Sequence, residues 1–252
     1  MRGLRILFLM LAAMTLSAQR DAILVPEVSQ SEVEVRQGFT GTELLLYGAI
    51  LDPAGRRGAK YDIVVVLKGP TVPIRMREKE RILGIWMNAE SSDFRSAPSF
   101  FAVASSRPVA EIVDERTAAI YELGTDFIQL SPSGVIEPEK QARFAAGLVE
   151  KRERAGLYKQ DSRGVKITEG VLYNARISLP SNVITGKYTA ETFAISDGRV
   201  IASAIADVEV KKVGFERFVE YASQDWSLLY GLVAVILSIS MGWFAGRLFA
   251  KI

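Results

Sequence analysis

The chain has 252 residues, 31 basic and 29 acidic side chains, no histidine and no cysteine. Without cysteine there is no disulfide, thiolate nucleophile, iron-sulfur cluster or thiol zinc site. Without histidine the commonest general base and transition-metal ligand is missing, so only carboxylate, lysine, serine or tyrosine chemistry remains. A net charge of +2 is too small for the basic face that nucleic-acid binding requires, and the sequence predicts no nucleic-acid partner, no cofactor and no metal.

At the N-terminus, Arg2 and Arg5 precede an apolar run over residues 6–16. At about eleven residues it fits the apolar region of a signal peptide and is too short to span a bilayer. Cleavage after Ala18 is expected, although Leu16 is a weaker match than a small residue would be; an uncleaved anchor is the alternative.

Apolar and polar residues then alternate over 31–37, 42–50 and 61–68, the last holding Ile63, Val64, Val65, Val66 and Leu67. Gly38 and Gly41, then Asp52, Pro53 and Gly55, then Gly69 and Pro70 bound these predicted strands. Residues 171–179, 187–195 and 200–211 read as three more, with Asp197-Gly198 as the hairpin signal between the last two. Between the two clusters the period becomes helical. One helix is expected from Pro108 through Ile112, Val113, Ala119, Ile120 and Leu123 to a stop at Gly124. A clearer one has Pro138 in its first turn, Phe144, Ala145, Leu148 and Val149 on one face, late Lys151, Arg152 and Arg154, and Gly156 as its cap.

Six or seven strands without alternating helices predict a mainly β fold: an immunoglobulin-like antiparallel sandwich with a helical insertion at about 106–158. Leu179-Pro180-Ser181-Asn182-Val183 followed by Gly186-Lys187-Tyr188 fits the corner of such folds in which a tyrosine hydroxyl bonds back to the loop. Two small separate domains are the alternative.

Residues 227–246 carry no charge over roughly 20 positions, enough to cross a hydrocarbon core of about 30 Å. Trp226 and Tyr230 stand at one edge, and Trp243, Phe244 and Phe249 near the other, as aromatic belts. The flanking charges do not decide orientation: Lys211, Lys212 and Arg217 precede the span, and Arg247 and Lys251 follow it. The signal peptide does decide it. The expected organisation is therefore a signal peptide at 1–18, an exported periplasmic domain at 19–213, a juxtamembrane segment at 214–225, a membrane helix at 226–249 and a cytoplasmic tail at 250–252, in a bacterial inner membrane. Along the helix, Ala234, Ser238, Gly242 and Gly246 recur every fourth residue and mark a face on which a second helix, its own copy or another protein's, can pack closely. Before it, Phe215, Phe218, Val219 and Ala222 form the apolar side of an interfacial helix whose Glu216, Arg217 and Glu220 face water.

Arg75, Arg77, Lys79 and Arg81 alternate with Met76, Glu78, Glu80 and Ile82, so a strand here displays a basic ladder, suited to an anion or to lipid head groups. Equally, a strand polar on both sides reads as an edge or a protruding hairpin kept from pairing with neighbours. With Trp86, Ser99 and Arg107 these residues are the candidate ligand-binding set. No catalytic residue is assigned. Ser99, Ser105 or Ser106 with Lys68 or Lys79 fits a serine-lysine scheme by residue type alone, and the serines fit turn caps as well. Glu111, Asp114 and Glu115 suit a helix N-terminus better than calcium, since no glycine turn of the EF-hand type is present.

Lys68-Gly69-Pro70, the basic ladder, Gly84-Ile85-Trp86-Met87-Asn88, residues 98–108, Gly156-Leu157-Tyr158 and Leu179-Pro180 together resemble an uncharacterised family of alphaproteobacterial transmembrane proteins. The resemblance runs over nearly the whole mature chain. It implies a single-pass inner-membrane protein, in a family often encoded beside permeases of the sulfite-exporter type, and it carries over no catalytic residue. Function is thus expected to be that of a non-enzymatic interaction or accessory module bound to a lipid bilayer and a membrane-protein partner. The alternatives are a periplasmic anion-binding or sensing module and a membrane-anchored serine-lysine hydrolase.

Overall fold

The computed structural model describes residues 22–36, 38–51, 60–134 and 137–249. The expected signal peptide, the turn at Asp52, Pro53 and Gly55, and the tail at 250–252 lie outside the described residues. The elements in chain order are β1 (Ile23–Val28), β2 (Glu32–Val35), β3 (Gly41–Leu51), β4 (Asp62–Lys68), β5 (Thr71–Ile82), β6 (Ile85–Pro98) and β7 (Phe101–Ser105). Then come α1 (Val109–Ile112), α2 (Glu115–Tyr121), a 3-10 turn (Thr125–Phe127), β8 (Ser131–Pro132) and α3 (Pro138–Arg154). The chain closes with β9 (Tyr158–Asp161), β10 (Val165–Thr168), β11 (Leu172–Pro180), β12 (Gly186–Ser196), β13 (Arg199–Lys212), α4 (Phe215–Asp225) and α5 (Ser227–Phe249).

The fold is mainly β, with one apolar C-terminal helix. A sheet in the order β1-β3-β11-β10 shares one apolar core with a second in the order β2-β13-β12-β4-β7-β9. In the first sheet, burial follows the two-residue period of a strand: Tyr173, Ala175, Ile177 and Leu179 of β11 point inward and Arg176 and Ser178 do not. In the second sheet the central strands are apolar on both faces. Every residue from Ile63 to Leu67 is inaccessible, and β7 is buried throughout. Such strands need cover on both sides, each fully buried Val, Leu or Ile contributing about 1.5–3 kcal/mol. The segment of α1 and α2 joins the same core through Ile112, Val113, Ala118 and Leu123, and Tyr121 packs edge-on against Phe193 of β12 at 5.4 Å.

Two pairings depart from the all-antiparallel expectation: β2 runs parallel to β13, and β9 parallel to β7. The single helix expected after Pro108 is also broken. Val113 turns extended, Asp114 starts α2 by accepting the Thr117 N–H at 2.9 Å, and Glu122, not Gly124, ends it in a left-handed conformation. Three local expectations hold. Asp197 and Gly198 both have positive φ, as a two-residue hairpin turn requires, α3 begins at Pro138, and the Tyr188 hydroxyl donates to the Ile184 carbonyl at 2.8 Å.

A third sheet, β5-β6-β8, stands apart with its own apolar core of Phe94, Ala97, Phe144 and Leu148, sealed by α3. Its two long strands form an arm whose root is tied to the sandwich. Gly69 N–H donates to Phe100 O, Ser99 N–H to Pro70 O, and the Tyr158 hydroxyl to Pro98 O at 2.7 Å. The register locates that root. Lys68 of β4 pairs with Thr189 of β12, and Gly186 of β12 pairs with Val210 of β13. The arm and the α4–α5 segment therefore leave the sandwich at the same end.

Gly48→Ala is expected to destabilise the sandwich by about 1–3 kcal/mol or more, because the added carbon would lie 2.3 Å from the Val25 carbonyl and 2.6 Å from the Tyr173 hydroxyl. Tyr188→Phe should cost about 1 kcal/mol for its lost hydrogen bond. Urea unfolding of the detergent-solubilised protein followed by circular dichroism checks both.

Candidate functional site: a charged arm with an apolar tip

Of the polar clusters and projecting surfaces, the arm departs furthest from what folding alone requires. Cross-strand pairing sets its two faces. Arg75 opposes Asp93, Arg77 opposes Ser91, Lys79 opposes Asn88 and Arg81 opposes Trp86 on one side; Met76, Glu78, Glu80 and Ile82 share the other. The basic ladder is therefore real, on a projecting hairpin. Arg75 is neutralised by a two-point ion pair with Asp93 at 2.6 and 2.8 Å, which holds that carboxyl below its ordinary value. Arg77, Lys79 and Arg81 have no ion-pair partner among the described residues, and Arg81 spends its Nε–H on the Gly84 carbonyl at 3.2 Å. On the opposite face, Arg143 of α3 bridges Glu78 at 3.1 Å and Glu90 at 2.7 Å, and Lys140 reaches Glu90 at 3.1 Å. These pairs dock the helix and leave the first face to solvent. A shallow groove of about 610 Å³ between Met76, Arg77, Phe144 and Gly147 runs along the seam.

Beyond α3 the hairpin carries an apolar cap. Leu83 is 98% exposed, Ile85 and Trp86 68%, Met87 51% and Ile82 44%. Leu83 and Gly84 form a two-residue turn with φ of 51° and 85°. A leucine in the left-handed region costs about 1–2 kcal/mol, and asparagine or aspartate would serve better. The other described non-glycine residues with positive φ are Glu122, Glu169 and Asp197, all polar.

The remaining candidates do not join this surface. Ser99 is buried at the arm's root, against Gly69, and Arg107 lies past the far end of β7. Trp86, Ser99 and Arg107 therefore occupy three separate places. Arg107 makes a two-point ion pair with Asp62 at 2.9 and 2.7 Å, and Ser106 donates to the same carboxylate at 2.9 Å. Lys68 is held by Glu122 at 2.6 Å and Glu191 at 3.4 Å, beside a groove of about 350 Å³ lined also by Tyr121 and Phe193. None of Ser99, Ser105 and Ser106 hydrogen-bonds to it among the described residues; the Lys159 ammonium instead donates to the Ser178 hydroxyl at 2.9 Å, beside a groove of about 530 Å³ lined also by Asp161 and Arg176. Burial pushes the Tyr158 and Tyr188 hydroxyls up to about 12, and both donate to carbonyls, so neither is a base near neutral pH. No group of three or more carboxylates suited to a metal occurs among the described residues. Asp114 serves as a helix cap.

The stripe Ala234, Ser238, Gly242 and Gly246 lies on α5, advancing about 40° around the axis per step. Apart from the helix's own neighbouring backbone, no atom stands within 4 Å of where a side chain on Gly242 or Gly246 would begin, and the Ser238 hydroxyl is satisfied by the Ala234 carbonyl at 2.8 Å. The most apolar 18 residues within Ser227–Arg247 have a mean hydropathy of 2.0, and none of that stretch is buried in the protein. Where α4 meets it, Tyr221 packs on Trp226 at 6.2 Å, and Ala222 is buried while Phe218 is exposed.

A family model described as "Putative transmembrane protein" matches residues 23–251. The chain belongs to this alphaproteobacterial family. With the apolar α5, membership makes it a membrane-associated protein with one candidate transmembrane helix at its C-terminus. No curated protein matches it. Among solved structures, the bacterial hydrophobin BslA aligns over 79% of this chain and 99% of its own, at 10% identity and a TM-score of 0.24, a likeness that carries no argument.

The Asp62 cluster gives a pH test. Burial raises the Asp62 pKa, but the hydrogen bonds and charge of Arg107 and the Ser106 hydroxyl outweigh it, and the net direction is down. A carboxyl lowered in the folded state adds stability that is fully present above its unfolded value, about 3.9, and is lost as pH falls through the lower folded value. Asp62→Asn should therefore reduce stability at pH 7 and flatten its decline below about pH 4, as urea midpoints across that range will show.

Proposed function

We propose that the protein is a single-pass inner-membrane protein whose β domain faces the periplasm and works as a non-enzymatic interaction or accessory module. The observation that carries this reading is α5, a helix uncharged from 227 to 246 with a stripe of small residues and open space over its glycines. Lipid tails give such a helix no hydrophobic reason to associate, so close backbone approach is what a small-residue face supplies. The ectodomain supports the same reading, since the clusters at Lys68, Asp62 and Arg143 are ion pairs that hold secondary structure together. The order β1-β3-β11-β10 against β2-β13-β12-β4-β7-β9, with β2 parallel to β13, supports an immunoglobulin-like sandwich, an architecture that recurs in recognition domains. A permease of the sulfite-exporter type is the partner this reading proposes.

Crosslinking and affinity purification from native membranes test the proposal. A second membrane protein, or a second copy, should be recovered with the wild type and reduced at least tenfold by Gly242→Leu, whose added Cβ would meet no atom within 4 Å beyond the helix's own backbone. Recovery of monomer alone, unaltered by the substitution, would count against it.

A further inference from the structure

We infer that the tip of the arm, Ile82, Leu83, Ile85, Trp86 and Met87, inserts into the interfacial zone of the same bilayer that α5 crosses, and that the ectodomain thus stands on the membrane at two points. Reach is the first argument. The arm and α4 leave the sandwich at one end, because Lys68, Thr189, Gly186 and Val210 are linked through a single ladder. The twelve residues of β5 extend about 40 Å at 3.3 Å each, while the eleven of α4 supply about 16 Å before α5 begins. An arm longer than the tether beside it is long enough for its tip to reach the bilayer surface.

Chemistry is the second argument. The tip is apolar on both faces of the hairpin and at the turn, which is unlike a docking face, where one side serves the partner and the other its own core. Leu83 holds a conformation that favours polar residues or glycine, yet its side chain meets solvent, so neither turn chemistry nor core packing accounts for it. Trp86 opposite Arg81 gives the pairing of an amphipathic ring with a cation that suits the headgroup level. Behind the tip, Arg77, Lys79 and Arg81 outnumber Glu80, while Glu78 and Glu90 are engaged by Arg143 and Lys140, and Asp93 by Arg75. The collar is therefore cationic and complements anionic lipid. Tethering by α5 keeps the tip beside the surface at high effective concentration, so a small apolar cap suffices where a free domain would need more.

The chain has three tryptophans, at 86, 226 and 243, so the full-length variant Trp226→Phe/Trp243→Phe reports on Trp86 alone. Reconstituted into phosphatidylcholine vesicles containing phosphatidylglycerol, it should show blue-shifted emission that is quenched by brominated acyl chains and shielded from iodide. In phosphatidylcholine alone the quenching should fall; equal quenching in both overturns the electrostatic half of the inference. Adding Leu83→Asn and Ile85→Thr gives an Asn-Gly turn, which keeps the hairpin folded, and should abolish the lipid quenching with the thermal midpoint unchanged or raised. Emission that stays red and fully open to iodide overturns the inference. So does shielding from iodide without lipid quenching, the result expected of a tip that docks on a second protein. Neither outcome bears on the stripe of α5, which is read by Gly242→Leu.

Discussion

The antiparallel ladder from β4 through β12 to β13 determines where everything outside the sandwich is placed. The register sets Lys68 opposite Thr189 and Gly186 opposite Val210, so the C-terminal ends of β4 and β13 lie at one end of the domain. From the first grows the hairpin arm and from the second the juxtamembrane helix. A shift of the register by one residue would turn the inward face of β12, with Tyr188 and Ala190, to solvent, so the shared core enforces the geometry of both projections. The contact between Gly186 and Pro70, where a side chain on the glycine would begin 2.9 Å from the proline ring, is a local sign of how closely the two roots approach.

The same core explains why the polar residues that stood out in the sequence do not form one site. A central strand pair buried on both faces needs cover, and the cover is charged at its rim. Lys68 at the end of β4 meets Glu122 at the end of α2, while Asp62 at the start of β4 meets Ser106 and Arg107 just past β7. The two clusters lie at opposite ends of one strand, each fastening a helical connection to the sheet below it. Ser99 is buried because the arm must leave and re-enter the sandwich through two closely paired strands, and a small side chain fits beside Gly69. Residue type brought these groups to notice. Their positions assign them to holding the fold.

Features set by neighbouring residues were legible in the sequence. Asp197-Gly198 marks its turn because both positions need positive φ, Pro138 opens α3, and the uncharged stretch of α5 needs no tertiary context. The Tyr188 bond to Ile184 spans only four residues and was likewise readable. Pairing between distant segments was not. β9 and β10 have four residues each, too few for a periodic signal, and β9 is a strand only because Tyr158 lies beside Phe101 in parallel. β7 drew attention as a cluster of aromatics and serines because a strand buried on both faces has no alternation to read. In the arm, the ladder on β5 was visible, but Trp86 through Ser92 carries no period. What made the ligand set look like a single site was proximity in sequence, which the hairpin undoes by placing Trp86 and Ser99 at opposite ends of β6.

Local and global preferences agree through most of the domain and part at Leu83. In a hairpin the turn fixes the register, so an unfavourable residue there bears on every pair from Ile82 and Ile85 back to the root. The arm tolerates it because stability comes from elsewhere: Phe144 and Leu148 of α3 against Phe94 and Ala97, and Arg143 across Glu78 and Glu90. Reinforcement at the base releases the tip from any part in folding. Exposed apolar surface invites aggregation, so an apolar tip with only water around it is a liability. Ile82, Leu83, Ile85, Trp86 and Met87 form such a tip, carried at the end of a stiffened lever on the side from which the membrane helix departs. Conflict with turn preference, support from a dedicated helix and placement beside the anchor are separate features, and the bilayer contact inferred for the tip accounts for all of them.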